Sequence, residues 1–206
     1  TTEIYTLSLH DALPIYGIGI QGQEKLLGSK ILIMGAGGLG SAAAVYLAAA
    51  GVGNIGLVDS DVVDCTNLNR QILHQPGTVG KAKVDSALEM LNRFNPAITV
   101  IPHTFHSNSV IQIEDTIRDY EIVLDCTDNY DTRCKINQAC VNMKKPLVYG
   151  AVSEFEGQAM TIIPGETPCY ACLYPSLPRT SDSTAAVIGV SRSEEHTSEL
   201  QSRQSI

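Results

Sequence analysis

The sequence lacks any run of apolar residues approaching the ~18 that a membrane-spanning helix needs. At its start it also lacks the positively charged and then apolar segment that marks a secretory signal peptide. These two absences predict a protein that neither crosses a membrane nor is exported. The six cysteines are irregularly spaced, so we interpret them as reduced thiols of a cytoplasmic protein rather than as a disulfide framework.

Basic residues are also scarce. The chain has 14 Lys and Arg against 22 Asp and Glu, which gives a net charge of −8 and a pI of about 5.0. This balance argues against general binding to nucleic acid, whose phosphates are neutralised by basic side chains. What is present is the composition of a globular domain, with 44% hydrophobic and 17% charged residues in a chain of 206.

Both ends of the chain differ from the rest. Residues 8–15 (SLHDALPI) and 192–202 (RSEEHTSELQS) resemble the translations of two widely used sequencing adaptors. We therefore expect 1–15 and 192–206 to be foreign, and 16–191 to be a natural domain that is truncated at its C-terminal side.

Between these ends, short apolar runs rich in β-branched residues alternate with helical patterns. Val84, Ala87, Leu88 and Leu91, for example, follow the period of one helix face, and Asn95-Pro96 ends that helix. Strands that alternate with helices predict a doubly wound, mostly parallel α/β sheet with helices on both faces. The predicted strands are 31–34, 55–58, 98–101, 122–124, 147–149 and 160–163.

A glycine-rich loop, 35–40 (GAGGLG), lies between the first predicted strand and the first predicted helix. Glycines at this point permit a tight turn and let the backbone approach a phosphate, which the N-terminus of the helix favours electrostatically. Asp59 ends the next strand, where its carboxylate can accept hydrogen bonds from ribose hydroxyls. The combination predicts a nucleotide-binding site.

The residues that follow indicate which nucleotide binds. Arg70 lies among amide side chains in 67–71 (NLNRQ), Lys83 opens the next helix, and Asp125 and Asp128 end a later strand. Two cations and two carboxylates suit a triphosphate with Mg²⁺ better than the hydride donor of a nicotinamide-dependent oxidoreductase. That oxidoreductase is the alternative from the enzyme classes.

Taken together, these motifs resemble the E1-like adenylyltransferases of the ubiquitin-activating superfamily. The closest types are the bacterial adenylyltransferases of molybdopterin synthase and of the thiamine-pathway sulfur carrier. The resemblance runs from about 17 to about 190. It is carried by 35–40 (GAGGLG), 51–54 (GVGN), 59–61 (DSD), 67–71 (NLNRQ), 79–83 (VGKAK) and 125–129 (DCTDN).

The resemblance implies a Rossmann-like fold, a homodimer, and ATP-dependent adenylation of the terminal glycine of a ubiquitin-like sulfur-carrier protein. By the same resemblance, Arg70, Lys83 and Asp128 are catalytic, and Asp128 holds Mg²⁺. Gly38 lies under the phosphates, and Asp59 holds the ribose. The nucleotide-binding residues it implies are Gly35, Gly37, Gly38, Gly40, Asp59, Asp61, Thr66, Asn67, Leu68, Asn69, Arg70, Gln71, Lys83, Asp128 and Asn129.

The sequence departs from the family pattern in three places. No arginine precedes Arg70, although the family delivers an N-terminal arginine to the phosphates across its dimer. Cys169 and Cys172 resemble only half of the family's four-cysteine zinc site. The loop 181–186 contains no cysteine, so we assign no covalent thiol chemistry.

These departures keep a second alternative open, a degenerate scaffold that binds nucleotide or carrier without turnover, and predict low activity for the chain as written. The other side chains with reactive groups have ordinary interpretations. We expect Cys65, Cys126, Cys134 and Cys140 to be small buried hydrophobic residues. We expect His74, His103 and His106 to be surface or core histidines, because no nucleophile and base are arranged around them.

Overall fold

The computed structural model describes residues 19–106, 109–153 and 156–175. The ends expected to be foreign, 1–15 and 192–206, lie outside the described residues, as does the loop 181–186. Within the described part, no helix is both long and apolar enough to cross a membrane.

The described residues form one six-stranded sheet with the strand order β3-β2-β1-β4-β5-β6. The first five strands are parallel, and β6 runs antiparallel to β5. This order confirms the predicted doubly wound, mostly parallel sheet, and it places the reversal of strand order between β1 and β4. The strands are β1 Lys30–Met34, β2 Asn54–Val58, β3 Thr99–His103, β4 Ile122–Asp125, β5 Leu147–Ser153 and β6 Glu156–Ile162.

Helices cover both faces of the sheet, because the strands are apolar on both sides. One core packs α2 and α3 against β1 and β2 through residues such as Ala44 and Leu91. The opposite core packs α4 and α5 through residues such as Ile113 and Ile136. The helices are α1 Gly19–Gly28, α2 Gly38–Ala50, α3 Lys83–Phe94, α4 Val110–Ile117, α5 Tyr130–Met143 and α6 Tyr170–Leu173.

Three strands differ from their predicted bounds by two residues or more. β5 runs on to Ser153 rather than ending at Tyr149, because β6 pairs with it along its whole length. β3 runs on through Pro102 to His103, because β3 is an edge strand and its proline needs no partner on the open side. β6 begins at Glu156 rather than at Met160, since pairing with β5 orders a segment whose Gly157, Gln158 and Ala159 are exposed and show no apolar pattern.

Candidate active site

A cavity of about 380 Å³ opens at the carboxyl ends of β1, β2 and β4, where the strand order reverses. Ligands of doubly wound folds bind at this position, because loops from both halves of the sheet diverge there. Most of the predicted site residues line the cavity: Gly35, Gly37, Gly38, Asp59, Asp61, Asn67, Arg70, Gln71, Lys83, Asp128 and Asn129. Of the predicted residues, all of which the structure describes, Gly40, Thr66, Leu68 and Asn69 are not among its lining.

The glycine loop closes tightly against two strands. Gly35 has φ +100°, and a Cβ on it would lie 2.9 Å from the carbonyl oxygen of Cys126. A Cβ on Gly40 would lie 1.8 Å from the carbonyl oxygen of Gly35, so the structure gives Gly40 a packing role. A Cβ on Gly38 would meet nothing closer than Arg70 Cγ at 3.7 Å, beside the cavity.

Asp59 is held at the end of β2 by two backbone donors. Its Oδ2 accepts from the Ala36 N–H at 2.7 Å, and its Oδ1 accepts from the Asp61 N–H at 2.8 Å. Each carboxylate oxygen has a second lone pair, so the group can still accept hydrogen bonds from a ligand in the cavity.

The two predicted cations reach the cavity from separate elements. Lys83 begins α3, is buried, and its Nζ lies 2.9 Å from Asp61 Oδ2. The Arg70 guanidinium donates to Asn69 Oδ1 at 2.9 Å and to Asn67 Oδ1 at 3.0 Å. Asn69 therefore orients the arginine without lining the cavity itself.

Two other predicted residues belong to the same loop, Thr66 outside the cavity lining and Gln71 within it. Thr66 donates its N–H and its hydroxyl to Asp64 Oδ1 at 2.8 and 2.6 Å, which caps the short turn Cys65–Asn67. Both hydrogen bonds lower the pKa of Asp64, with that from the hydroxyl contributing most. Gln71, next to Arg70, is buried, and its Oε1 has no hydrogen-bond partner among the described residues.

The carboxylate that ends β4 and the one three residues later differ in their surroundings. Asp125 is buried and accepts from the Thr127 N–H at 3.0 Å and from its hydroxyl at 2.7 Å, while burial raises the pKa of Asp125. Asp128 is exposed and lines the cavity. Asn129 caps α5 by accepting from the Thr132 N–H at 3.1 Å.

Sequence reasoning missed Arg133, which is buried and lines the cavity. Its Nε donates to the Thr127 carbonyl at 3.0 Å, and its guanidinium carbon lies 5.3 Å from the Tyr149 ring centroid. The signal was available, since Arg133 falls in phase with the buried stripe of Ile136 and Cys140 on α5. A cation inside an apolar stripe indicates a specific partner.

Histidines and cysteines follow their expected interpretations with one exception. His74 is buried between two hydrogen-bond partners, and His103 contacts the Tyr120 hydroxyl at 2.8 Å. Cys140 is buried, and Cys126 and Cys134 are partly buried. The prediction was wrong for Cys65, which is exposed because it begins a surface turn.

The sulfur atoms of Cys169 and Cys172 lie 3.5 Å apart at the start of α6. Across the described ranges, no group of three or more His, Cys, Asp or Glu side chains is placed to hold a metal ion. A zinc site on this chain therefore requires ligands besides these two thiols.

Fold and cavity together define an α/β protein with a polar cleft at the switch point of a doubly wound sheet. Residues 10–193 match the model of the ThiF family, and the chain belongs to that family. This membership confirms the E1-like resemblance, while the bacterial type stays a prediction.

Relatives and solved structures agree with the assignment. The chain is 47% identical over 179 residues to the adenylyltransferase and sulfurtransferase uba4 of Emericella nidulans, covering 83% of this chain and 37% of that protein. It is 46% identical over 193 residues to the adenylyltransferase and sulfurtransferase MOCS3-2 of Zea mays, covering 91% and 39%. The structure of E. coli MccB with ATP matches with a TM-score of 0.69 at 26% identity, covering 88% and 50%. The chain thus spans about two fifths of the length of these curated relatives.

Proposed function

We propose that this protein uses ATP to adenylate the C-terminal carboxylate of a ubiquitin-like sulfur carrier of the molybdopterin or thiamine type. The observation that carries the proposal is one cavity lined by the glycine loop, Asp59, Arg70, Lys83 and Asp128. The relatives from Emericella nidulans and Zea mays are both named adenylyltransferases, and the similar E. coli MccB structure was solved with ATP.

The chemical problem is charge, since the carrier's carboxylate must attack the α-phosphate of a polyanionic triphosphate while pyrophosphate leaves. The cavity meets this problem with cations that are already oriented. Asn67 and Asn69 hold the Arg70 guanidinium. Lys83 uses one of its three N–H donors on Asp61, which leaves donors for phosphate oxygens. Positioned cations in a cleft stabilise the charge that develops in the transition state.

Asp59 and Gln71 fit the remaining parts of the nucleotide. The Asp59 carboxylate is fixed by backbone donors and suits ribose hydroxyls. The buried Gln71 Oε1 is an unsatisfied acceptor that a ligand donor would satisfy. No protein nucleophile is needed, because the carrier supplies the attacking oxygen.

Mg²⁺ fits this site through Asp128, the exposed carboxylate on the cavity wall. A single protein carboxylate is typical of magnesium bound with substrate phosphates, which supply further oxygen ligands. The ion would neutralise the phosphates and the departing pyrophosphate.

We also infer that the protein forms a homodimer and that Cys169 and Cys172 can supply two of the four ligands of a zinc site. Tetrahedral zinc with sulfur ligands at ~2.3 Å places two sulfurs on the order of 3.8 Å apart, close to the 3.5 Å between Cys169 and Cys172. The homodimer rests on the resemblance alone, and the molecular mass in solution tests it.

The test of the proposed function is pyrophosphate exchange into ATP in the presence of the carrier protein. Asp128→Asn should lower this exchange by about 10²-fold or more, because the metal loses its protein ligand. Asp131→Asn is the matched control. Asp131 is exposed, is absent from the cavity lining among the described residues, and pairs with Lys135.

Near-normal exchange in Asp128→Asn would contradict the role of Asp128. An unsubstituted protein that binds ATP but shows no carrier-dependent exchange would support the degenerate scaffold instead.

A further inference from the structure

His74 lies between the glycine loop and α3, outside the residues that sequence reasoning assigned to the nucleotide. Its side chain is buried, with 5% exposure. The Nε2 atom lies 3.1 Å from the carbonyl oxygen of Ala36, the second residue of the glycine loop, and Nδ1 lies 3.1 Å from Ser86 Oγ. Both ring nitrogens therefore have fixed partners on two different elements of the site.

The partners determine which nitrogen carries the proton. A carbonyl oxygen can only accept, so Nε2 must donate to Ala36. Burial is the main cause that lowers the pKa of His74, and Lys83 acts in the same direction. The hydrogen bond to the Ala36 carbonyl and the charge of Asp59 oppose the shift without reversing it. The neutral ring then carries its one proton on Nε2 and leaves Nδ1, 3.1 Å from Ser86 Oγ, as an acceptor.

Ala36 is held from both sides. Its N–H donates to Asp59 Oδ2 at 2.7 Å, and its carbonyl accepts from His74. The peptide that joins Ala36 to Gly37 is planar and trans, so fixing its carbonyl also fixes the direction of the Gly37 N–H. That N–H points away from His74, and Gly37 lines the cavity.

The same histidine joins the loop to the helix that carries a phosphate-binding cation. Ser86 lies one turn after Lys83 on α3, and Ser86 Oγ contacts Thr78 Oγ1 at 3.0 Å. Hydrogen bonds between buried or partly buried groups therefore connect the glycine loop to α3 through His74.

We propose that His74 is a positioning residue for ATP, which fixes the Ala36–Gly37 peptide so that the Gly37 N–H is pre-organised for a phosphate oxygen. The inference rests on the proposed function, since ATP is its ligand. His74 does not touch the reacting atoms, and it acts through the loop.

The experiment compares two substitutions of His74, each of which keeps a nitrogen near the position of one of the two ring nitrogens. Gln places its amide nitrogen near the position of Nε2, and Asn places its own near Nδ1. In the full chain, His74→Gln should therefore keep the Kd and KM for ATP within about twofold, whereas His74→Asn should raise both by about tenfold. The kcat at saturating ATP should change less than KM in both variants, because only the binding geometry is altered.

Three measurements accompany the kinetics. Calorimetric titration with ATP and Mg²⁺ gives Kd without turnover, and melting temperatures show whether both variants fold. The 15N chemical shifts of His74 in the unsubstituted protein should show the Nε2-protonated tautomer. His103→Gln is the matched control, since His103 bonds to Tyr120 and is absent from this cavity's lining among the described residues.

Equal Kd values for the Gln and Asn variants would overturn the inference, as would an Nδ1-protonated ring. If the unsubstituted protein exchanges pyrophosphate and both variants match it, only the role of His74 fails. If the unsubstituted protein binds no ATP, the proposed function and this inference fail together.

Discussion

Asp125 and Asp128 show how one residue type acquires two roles within a single turn of chain. Asp125 ends β4 and is buried, accepting two hydrogen bonds from Thr127, whereas Asp128, three residues later, is exposed on the cavity wall. The sequence predicted that both carboxylates lie at the edge of the sheet. It could not predict that one is buried and the other exposed, because their surroundings come from β1 and α5.

The burial of Asp125 makes a stability prediction. Because burial raises the pKa of Asp125, its ionised form costs folding free energy at neutral pH. Asp125→Asn should increase the free energy of unfolding at pH 7 by on the order of 1 kcal/mol, because the amide oxygen can still accept from both Thr127 donors. The gain should shrink as the pH falls, since the native carboxyl then takes up a proton.

Thermal melting of both proteins between pH 7 and pH 4 measures this difference. Asp119→Asn removes the same charge from an exposed position and should show no comparable gain. A lower melting temperature for Asp125→Asn at pH 7 would contradict the argument.

At the scale of elements, the strands that are buried on both faces of the sheet could be predicted from the sequence. β1 and β2 are apolar runs, and parallel strands bring the glycine loop and Asp59 to one edge. The start of β6 and the exposure of Cys65 could not be predicted, because pairing with β5 and the turn at Cys65 depend on long-range packing. The burial of Arg133 could be predicted from the apolar stripe of α5, but its partners, Thr127 and Tyr149, could not, because they come from other elements.

The first turn of α2 contains one glycine required for packing, Gly40, and one proposed to approach the ligand, Gly38. Gly40→Ala should destabilise the fold by about 3 kcal/mol, because its Cβ would lie 1.8 Å from the Gly35 carbonyl oxygen. Gly38→Ala should fold normally, since its Cβ would contact only Arg70 at 3.7 Å or beyond. It should instead weaken ATP binding by about tenfold, because the methyl group enters the cavity.

Urea unfolding and ATP titration of both variants make the comparison. Gly77→Ala is the control, because a Cβ there has nothing within 4 Å. If Gly40→Ala and Gly38→Ala had the same free energy of unfolding, the prediction would be wrong, because the backbone would then accommodate a Cβ at Gly40 without loss of stability.

At the scale of the whole molecule, the net charge is negative, whereas the charges of the cleft balance. The chain carries −8, while Arg70, Lys83 and Arg133 line the cleft together with three carboxylates, Asp59, Asp61 and Asp128. A negative surface disfavours a long polyanion that must lie along it, whereas a compact nucleotide inside the cleft has cations for its phosphates and a carboxylate for its ribose. This distribution favours a nucleotide over nucleic acid as the ligand.

Ligand-dependent melting tests this conclusion on the full chain. ATP with Mg²⁺ at about 100 times its Kd should stabilise the fold by ~2.7 kcal/mol, which corresponds to about 5–10 °C for a domain of this size. NADH should give no such shift, because the charges of Arg70, Lys83 and Asp128 on the cavity wall suit the proposed triphosphate with Mg²⁺ and have no counterpart on a nicotinamide. Duplex DNA at the same phosphate concentration should also leave the melting temperature unchanged. An NADH shift as large as that of ATP would restore the oxidoreductase, since the glycine loop and Asp59 alone would then explain binding.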